Sequence, residues 1–208
     1  MGLDLTKLNG HVPQSIYENI IELFPDYEID TKFRASHFLG QIAHESGDFT
    51  IKTESLNYTT PERIVKIWPS RFNLTGDGGK KNANNYIKNQ EKLSEAVYGG
   101  RMGNNNPGDG FTFRGAGFLQ LTGKDAFIGY SKYIDKSVED TADLIRSDNH
   151  YALDCALWEY CDEMKLNTIA DQGIDDIIIK KITKRINGGY NGLEDRLNKV
   201  NKYYSWLQ

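Results

Sequence analysis

The sequence predicts a mainly α-helical fold with minor β and loop elements, and three observations carry that expectation. Apolar residues recur three or four positions apart through most of the chain, which lines one face of a helix. Glycine, asparagine and proline concentrate between residues 98 and 123, which read as one structured loop region inside the domain. With 208 residues, 38% hydrophobic and 26% charged, the chain suits one compact domain, residues 1–208, with its own core.

Taken in order, Ile16, Ile20 and Phe24 mark a first helix, and Ala35, Phe38, Leu39 and Ile42 a second. Thr60-Pro61-Glu62 reads as an N-cap, a proline at the first helical position and an acidic first turn, and Pro69 stops that helix just after Trp68. Residues 73–85, rich in Gly, Asn and Lys, read as a flap or a linker, and a weaker helical pattern then runs to Val97. The run GGRMGNNNPGDG followed by FTFRGAGFLQLTG cannot hold a long helix. A buried helix spans about His150 to Tyr160. Ile178, Ile179, Ile182 and Ile186, then Leu193, Leu197, Val200, Tyr204 and Leu207, mark the last two helices. No internal repeat is visible.

Formal charge is −4 and the pI about 5.6, so no broad cationic field exists to hold nucleic acid or an anionic membrane. Residues 1–10 lack the apolar run of a signal peptide, and no window approaches a membrane span, so a soluble chain made in the cytoplasm is expected. Cys155 and Cys161 lie in or near one helix, about 9 Å apart along its axis, too far to bridge, and read as free thiols.

Within the second helix, Glu45 lies seven residues after Phe38 and three after Ile42, on the apolar face. Partial desolvation, and the negative helix end just before Gly47, both favour a proton-holding carboxyl there, as a glycosidase acid requires. The competing reading is a structural Glu satisfied by a buried Arg. Glu54 follows nine residues later, on the opposite face of any continuous helix. A chain reversal at Gly47-Asp48 lets the two carboxyls face each other, and an inverting hydrolase needs about 6.5–9.5 Å between them. The alternative is a solvent-exposed Glu54.

In FLQLTG an extended backbone puts Gln120 and Thr122 on one side, where they line a polar site together or belong to a structural turn. Arg196 stands near the apolar stripe of the last helix, where it either pairs with a carboxylate or packs its stem and extends its head into water.

Other chemistries fit less well. His44-Glu45 suggests the zinc motif H-E-x-x-H, but position 48 is Asp and the remaining histidines are His11, His37 and His150, so no metal site is assigned. His37 and His44, seven apart, read as sharing a structural face. The glycines of RGAGF lack the spacing of a phosphate-cradling loop. Lys180, Lys181, Lys184 and Arg185 lie opposite the isoleucine stripe, as a solvated face or a weak contact for an anionic wall.

Four separated stretches, FLGQIAHESGDFTIKTESLNY, GDGFTFRGAGFLQLTG, YALDCALWEY and RINGGYNGLEDR, together resemble glycoside hydrolase family 19. That family contains plant-type chitinases and many bacteriophage endolysins, and the resemblance is nearer the endolysin branch. It implies a lysozyme-like, two-lobed helical domain with a central substrate cleft, and single-displacement hydrolysis with inversion. By the same resemblance, Glu45 in AHES matches the general acid and Glu54 in TESLNY the general base. Thr122 matches the residue that helps hold the attacking water, Gln120 and Asn187 match substrate-binding residues, and Arg196 the arginine that orients the acids. Tyr58 stacks on a sugar face or packs beside the cleft.

Two departures stand out. Ala116 replaces an expected Arg or Pro within RGxG, and Asn191 stands where plant chitinases carry an acidic residue, which leaves the partner of Arg196 open. The function implied is an endolysin-type, monomeric glycosidase that cuts β-1,4 bonds of peptidoglycan without metal or organic cofactor and reaches the wall after release from the host cytoplasm. The alternatives are a chitinase acting on N-acetylglucosamine polymers and a catalytically weak, glycan-binding homologue.

Overall fold

The computed structural model describes residues 2–208. Its helices are α1 (Gln14–Leu23), α2 (Lys32–Glu45), α3 (Pro61–Ile67), α4 (Gln90–Tyr98), α5 (Asp109–Thr112), α6 (Lys124–Tyr133), α7 (Val138–Ser147), α8 (Asn149–Leu157), α9 (Asn167–Ala170), α10 (Asp176–Asn187) and α11 (Leu193–Trp206). Two-residue strands, β1 (Phe72–Asn73) and β2 (Lys81–Asn82), pair in parallel with Phe72 opposite Lys81. The protein is mainly helical, as the apolar spacing predicts. No described helix is long and apolar enough to cross a membrane.

The chain forms two compact units. The first comprises Met1–Lys52, Ala116–Gln120 and Asp143–Gln208; the second comprises Thr53–Gly115 and Leu121–Ala142. In the first unit α2 is the central helix. Every residue from Ala35 to Ala43 is buried, so the helix is core on all sides. Its start is set by Thr31, whose side chain accepts from the Arg34 N–H at 3.2 Å. Phe38 meets Phe24 and Tyr160 edge-on, with ring centroids 5.7 and 5.2 Å apart. The crossing of α2 and α11 is close because Gly40 has no side chain: a Cβ there would lie 2.4 Å from Val200 Cγ2 and 2.7 Å from its Cα.

In α10, Ile178, Ile179 and Ile182 are buried, while Lys180, Lys181, Lys184 and Arg185 are exposed. Gly188 in the left-handed conformation closes that helix. Cys155 and Cys161 are free and buried. The helix expected over about 150–160 is α8 as far as Leu157, after which the backbone widens into a π-helical turn, Trp158–Glu163.

The second unit has its own core, built from Leu56, Ile64, Phe72, Ala83, Leu93 and Val97. Around it pack Tyr58, Trp68 and Tyr86. α3 begins at Pro61 and yields at Trp68, as the Thr60-Pro61 start and the Pro69 stop predict. The stretch expected as a flap or linker is fastened to this core at both ends, by Phe72 and Ala83. Within it the Gly76 N–H donates to Asn73 Oδ1 at 2.6 Å.

Of the two readings left open for FLQLTG, the structure shows the turn: at residues 117–120, Gly117 has φ +77°, Gln120 has φ +61°, and the Gln120 N–H donates back to the Gly117 carbonyl at 3.3 Å. Gly117 and a left-handed Gln120 override the alternation that Phe118, Leu119 and Leu121 suggest. Gln120 and Thr122 are therefore not neighbours on one strand face, and they fall in different units.

Candidate active site

Glu45 is the last residue of α2. The helix stops there because the backbone goes left-handed at three successive residues, Gly47, Asp48 and Phe49, with φ of 56°, 56° and 66°. The hydroxyl of Ser46 donates to the Ile42 carbonyl at 2.6 Å and accepts from the Phe49 N–H at 2.8 Å, which fixes the reversal. The break that the sequence places at Gly47 is thus present.

Arg196 settles the question left open for it. The side chain is fully buried, and Nη2 donates to Glu45 Oε1 while Nη1 donates to Gln41 Oε1 at 2.6 Å. Its Nε reaches the Asn191 backbone carbonyl at 3.3 Å. The guanidinium fork is thereby shared among a carboxylate, an amide and a carbonyl, a geometry that Lys could not reproduce. Glu45 is consequently paired with a buried Arg, as the competing reading of its place on the apolar face had it.

Gln41 completes the network by donating from Nε2 to Thr183 Oγ1 at 3.1 Å, which ties α2 to α10. Asn191 serves through its backbone, which explains how an amide residue stands where an acidic one was expected. The same carbonyl accepts from Asn187 Nδ2 at 3.4 Å, so Asn187, at the end of α10, joins the cluster. Next to Glu45, His44 Nδ1 lies 2.7 Å from Asp195 Oδ2. A Cβ on Gly192 would lie 2.1 Å from the His44 ring, and its φ is +69°, so the glycine before α11 is required twice over. His37 is bound elsewhere, with Nε2 2.8 Å from the Gly173 carbonyl.

Gln120 also belongs to the first unit, with Nε2 donating to the Gly117 carbonyl at 2.9 Å. The turn that carries it is anchored by the Gly117 N–H on the Lys52 carbonyl at 2.9 Å and by the edge-on contact of Phe49 and Phe118.

Glu54 belongs to the second unit. Its backbone N–H donates to the Gly115 carbonyl at 2.9 Å, and the Gly115 N–H returns a bond to Glu54 Oε2 at 3.2 Å. The Tyr98 hydroxyl lies 2.8 and 3.0 Å from the two carboxyl oxygens. Burial first, then the charge of Glu54, raises the Tyr98 phenol far above its ordinary range, so it acts as a donor at every working pH. Arg114 stands close enough to feel the Glu54 charge, which opposes the lowering that burial imposes on the guanidinium. Tyr58 packs edge-on against Trp68 at 5.7 Å and is raised by burial and by Glu54. It serves the core of this unit while standing near the carboxyl. Thr122 is half-buried between Leu121 and Gly123.

Sequence reasoning missed Gln41, Tyr98 and Glu159. Glu159 carries a signal that was available, an acid inside the apolar run ALDCALWEY.

The fold is similar to that of solved chitinases. The chain is 28% identical over 197 residues to a glycosyl hydrolase family 19 domain-containing protein of Haemophilus influenzae, covering 91% of this chain and 88% of that one. It superimposes on chitinase C from Streptomyces griseus HUT6037 with a TM-score of 0.59 at 14% identity, covering 99% of this chain and 76% of that chain. A mutant of chitinase C gives a TM-score of 0.58 at 13% identity, with the same coverage. No protein-family model matches the chain. The resemblance to family 19 carried by the four sequence stretches is borne out by the relative, and the fold class by the two structures.

Proposed function

We propose that this protein is an inverting glycosidase of the endolysin type, hydrolysing β-1,4 bonds between the amino sugars of bacterial peptidoglycan. In this reading Glu45 protonates the glycosidic oxygen, and ionised Glu54 takes a proton from the water that attacks the anomeric carbon. Thr122 helps hold that water, Gln120 and Asn187 bind the sugar chain, and Tyr58 flanks it. The observation that carries the reading is Glu45 fixed at the end of α2 by a fully buried Arg196. A carboxyl presented by a rigid helix end and oriented by a guanidinium fork has the preorganisation that acid catalysis requires. Tyr98 and the Gly115 N–H orient Glu54 in the same manner.

A chitinase is the second reading, favoured by the fold shared with chitinase C. Mass spectrometry of the fragments released from purified peptidoglycan and from chitin separates the two, because the reducing-end sugar identifies the bond cut. Soluble muropeptides from peptidoglycan, and their loss in Glu45→Gln, are expected. Release from chitin alone would establish the second reading, and peptide-bond cleavage alone would overturn both.

A further inference from the structure

The reversal after Glu45 is held by α11 as well as by Ser46. Gly47, Asp48 and Phe49 are left-handed in succession, a backbone that disfavours any residue with a side chain. Asp48 and Phe49 keep it only where their surroundings enforce it. Phe49 is buried and meets Phe118 edge-on. Asp48 Oδ1 accepts from Lys199 Nζ at 2.5 Å. Lys199 stands on α11 three residues after Arg196, on the same face, and Asp48 stands three residues after Glu45. α11 therefore grips the chain on both sides of the break: Asp195 and Arg196 meet His44 and Glu45 before it, and Lys199 meets Asp48 after it. The Lys199 side chain is 18% exposed against 67% for Asp48, so its stem is packed while its amine is aimed at the carboxylate. Tyr203, one turn further along α11, also feels the Asp48 charge, which adds to burial in raising its phenol.

We propose that Lys199 and Asp48 are positioning residues for the acid step, their ion pair holding the left-handed reversal in place so that α2 ends at Glu45. The contact of Arg196 with Glu45 is a pivot about which the helix end can turn. A further contact beyond the break, from the same face of α11, removes that freedom. With the pair broken, residues 46–49 are freer to take the right-handed backbone that non-glycine residues favour. That change carries α2 past Glu45 and loosens the orientation Arg196 gives the carboxyl. An ion pair with one exposed partner adds little to global stability, so its effect belongs to local geometry. The catalytic consequence rests on the glycosidase reading, whereas the hold on the reversal does not.

Two variants test this. Asp48→Asn removes the charge yet keeps a residue that tolerates the left-handed backbone, and Lys199→Met removes the amine yet keeps the stem. Amide hydrogen exchange of the full chain reads the reversal directly. The Asp48 N–H donates to the Ala43 carbonyl at 2.8 Å, and the Phe49 N–H donates to Ser46 Oγ at 2.8 Å. Both amides are expected to exchange about three- to fivefold faster in each variant. On soluble β-1,4-linked amino-sugar oligomers kcat should fall by at least about threefold, with little change in KM or melting temperature. The double variant should be no worse than either single one, because both break the same pair. Amides as protected as in wild type, or losses of kcat that multiply in the double variant, would overturn the proposal. Faster exchange with an unchanged kcat would overturn it too, since the reversal would then not position Glu45. Faster exchange in a protein whose wild type cleaves no glycan would uphold the hold on the reversal and place the failure in the glycosidase reading.

Discussion

Arg196 and Tyr98 make the same kind of contact with different carboxyls: the fully buried Arg196 donates to Glu45, and the half-buried Tyr98 donates to Glu54. Arg196 was legible as a candidate because a guanidinium near the apolar stripe of a helix either pairs with a carboxylate or extends its head into water, and the structure shows the pair. Tyr98 was not, because it ends α4 beside Gly99 and bonds a residue 44 positions away, a pairing that no local pattern records. Hydrogen bonds to a charged group contribute about 1.5–3 kcal/mol. Tyr98→Phe is therefore expected to lower kcat/KM by about tenfold or more while thermal unfolding changes little. Steady-state kinetics beside a melting curve checks this, and an unchanged kcat/KM would remove Tyr98 from the site. Glu159 makes a separate prediction about stability. It stands at about 8 in the folded protein against an ordinary 4.5, so across that interval the native state holds a proton that the unfolded chain has lost. Stability therefore falls as pH rises through this window, by at most about 1.4 kcal/mol per pH unit, and this contribution is flat outside it. Denaturant titrations at several pH values should show the slope in wild type and its loss in Glu159→Gln.

At the scale of elements, the close packing of α2 on α11 sets where Glu45 and Arg196 meet. Gly40→Ala would drive a methyl into Val200, whose backbone as well as side chain lies within contact, so neither helix can yield cheaply. A loss of about 3 kcal/mol is expected, read from denaturant midpoints, with a drop in activity larger than that of a surface control. Helices with strong apolar periodicity, such as α1, α2, α10 and α11, were legible. α6 and α7 were not: Gly129 interrupts the first, and the second is largely polar, burying only Thr141, Ala142 and Ile145. The FLQLTG segment stayed open between strand and turn because alternation counts side chains, whereas positive φ at Gly117 and Gln120 decides the backbone.

For the whole molecule, composition and spacing gave the fold class, and the four motif stretches gave the family relationship. Neither exposed the two compact units: of the four chain passages, at residues 52–53, 115–116, 120–121 and 142–143, two lie inside the Gly-rich region that read as one loop within the domain, and two carry no linker composition. Glu45 and Glu54, nine residues apart, belong to different units, each held by its own network. The spacing alone could not reveal this. The central claim is that these two carboxyls act as acid and base in one displacement, which fixes the stereochemistry of the product. Proton NMR of the first sugar released from a soluble β-1,4-linked amino-sugar oligomer, recorded before mutarotation, reads that outcome. The α-anomer appearing first is predicted; the β-anomer appearing first would contradict the account.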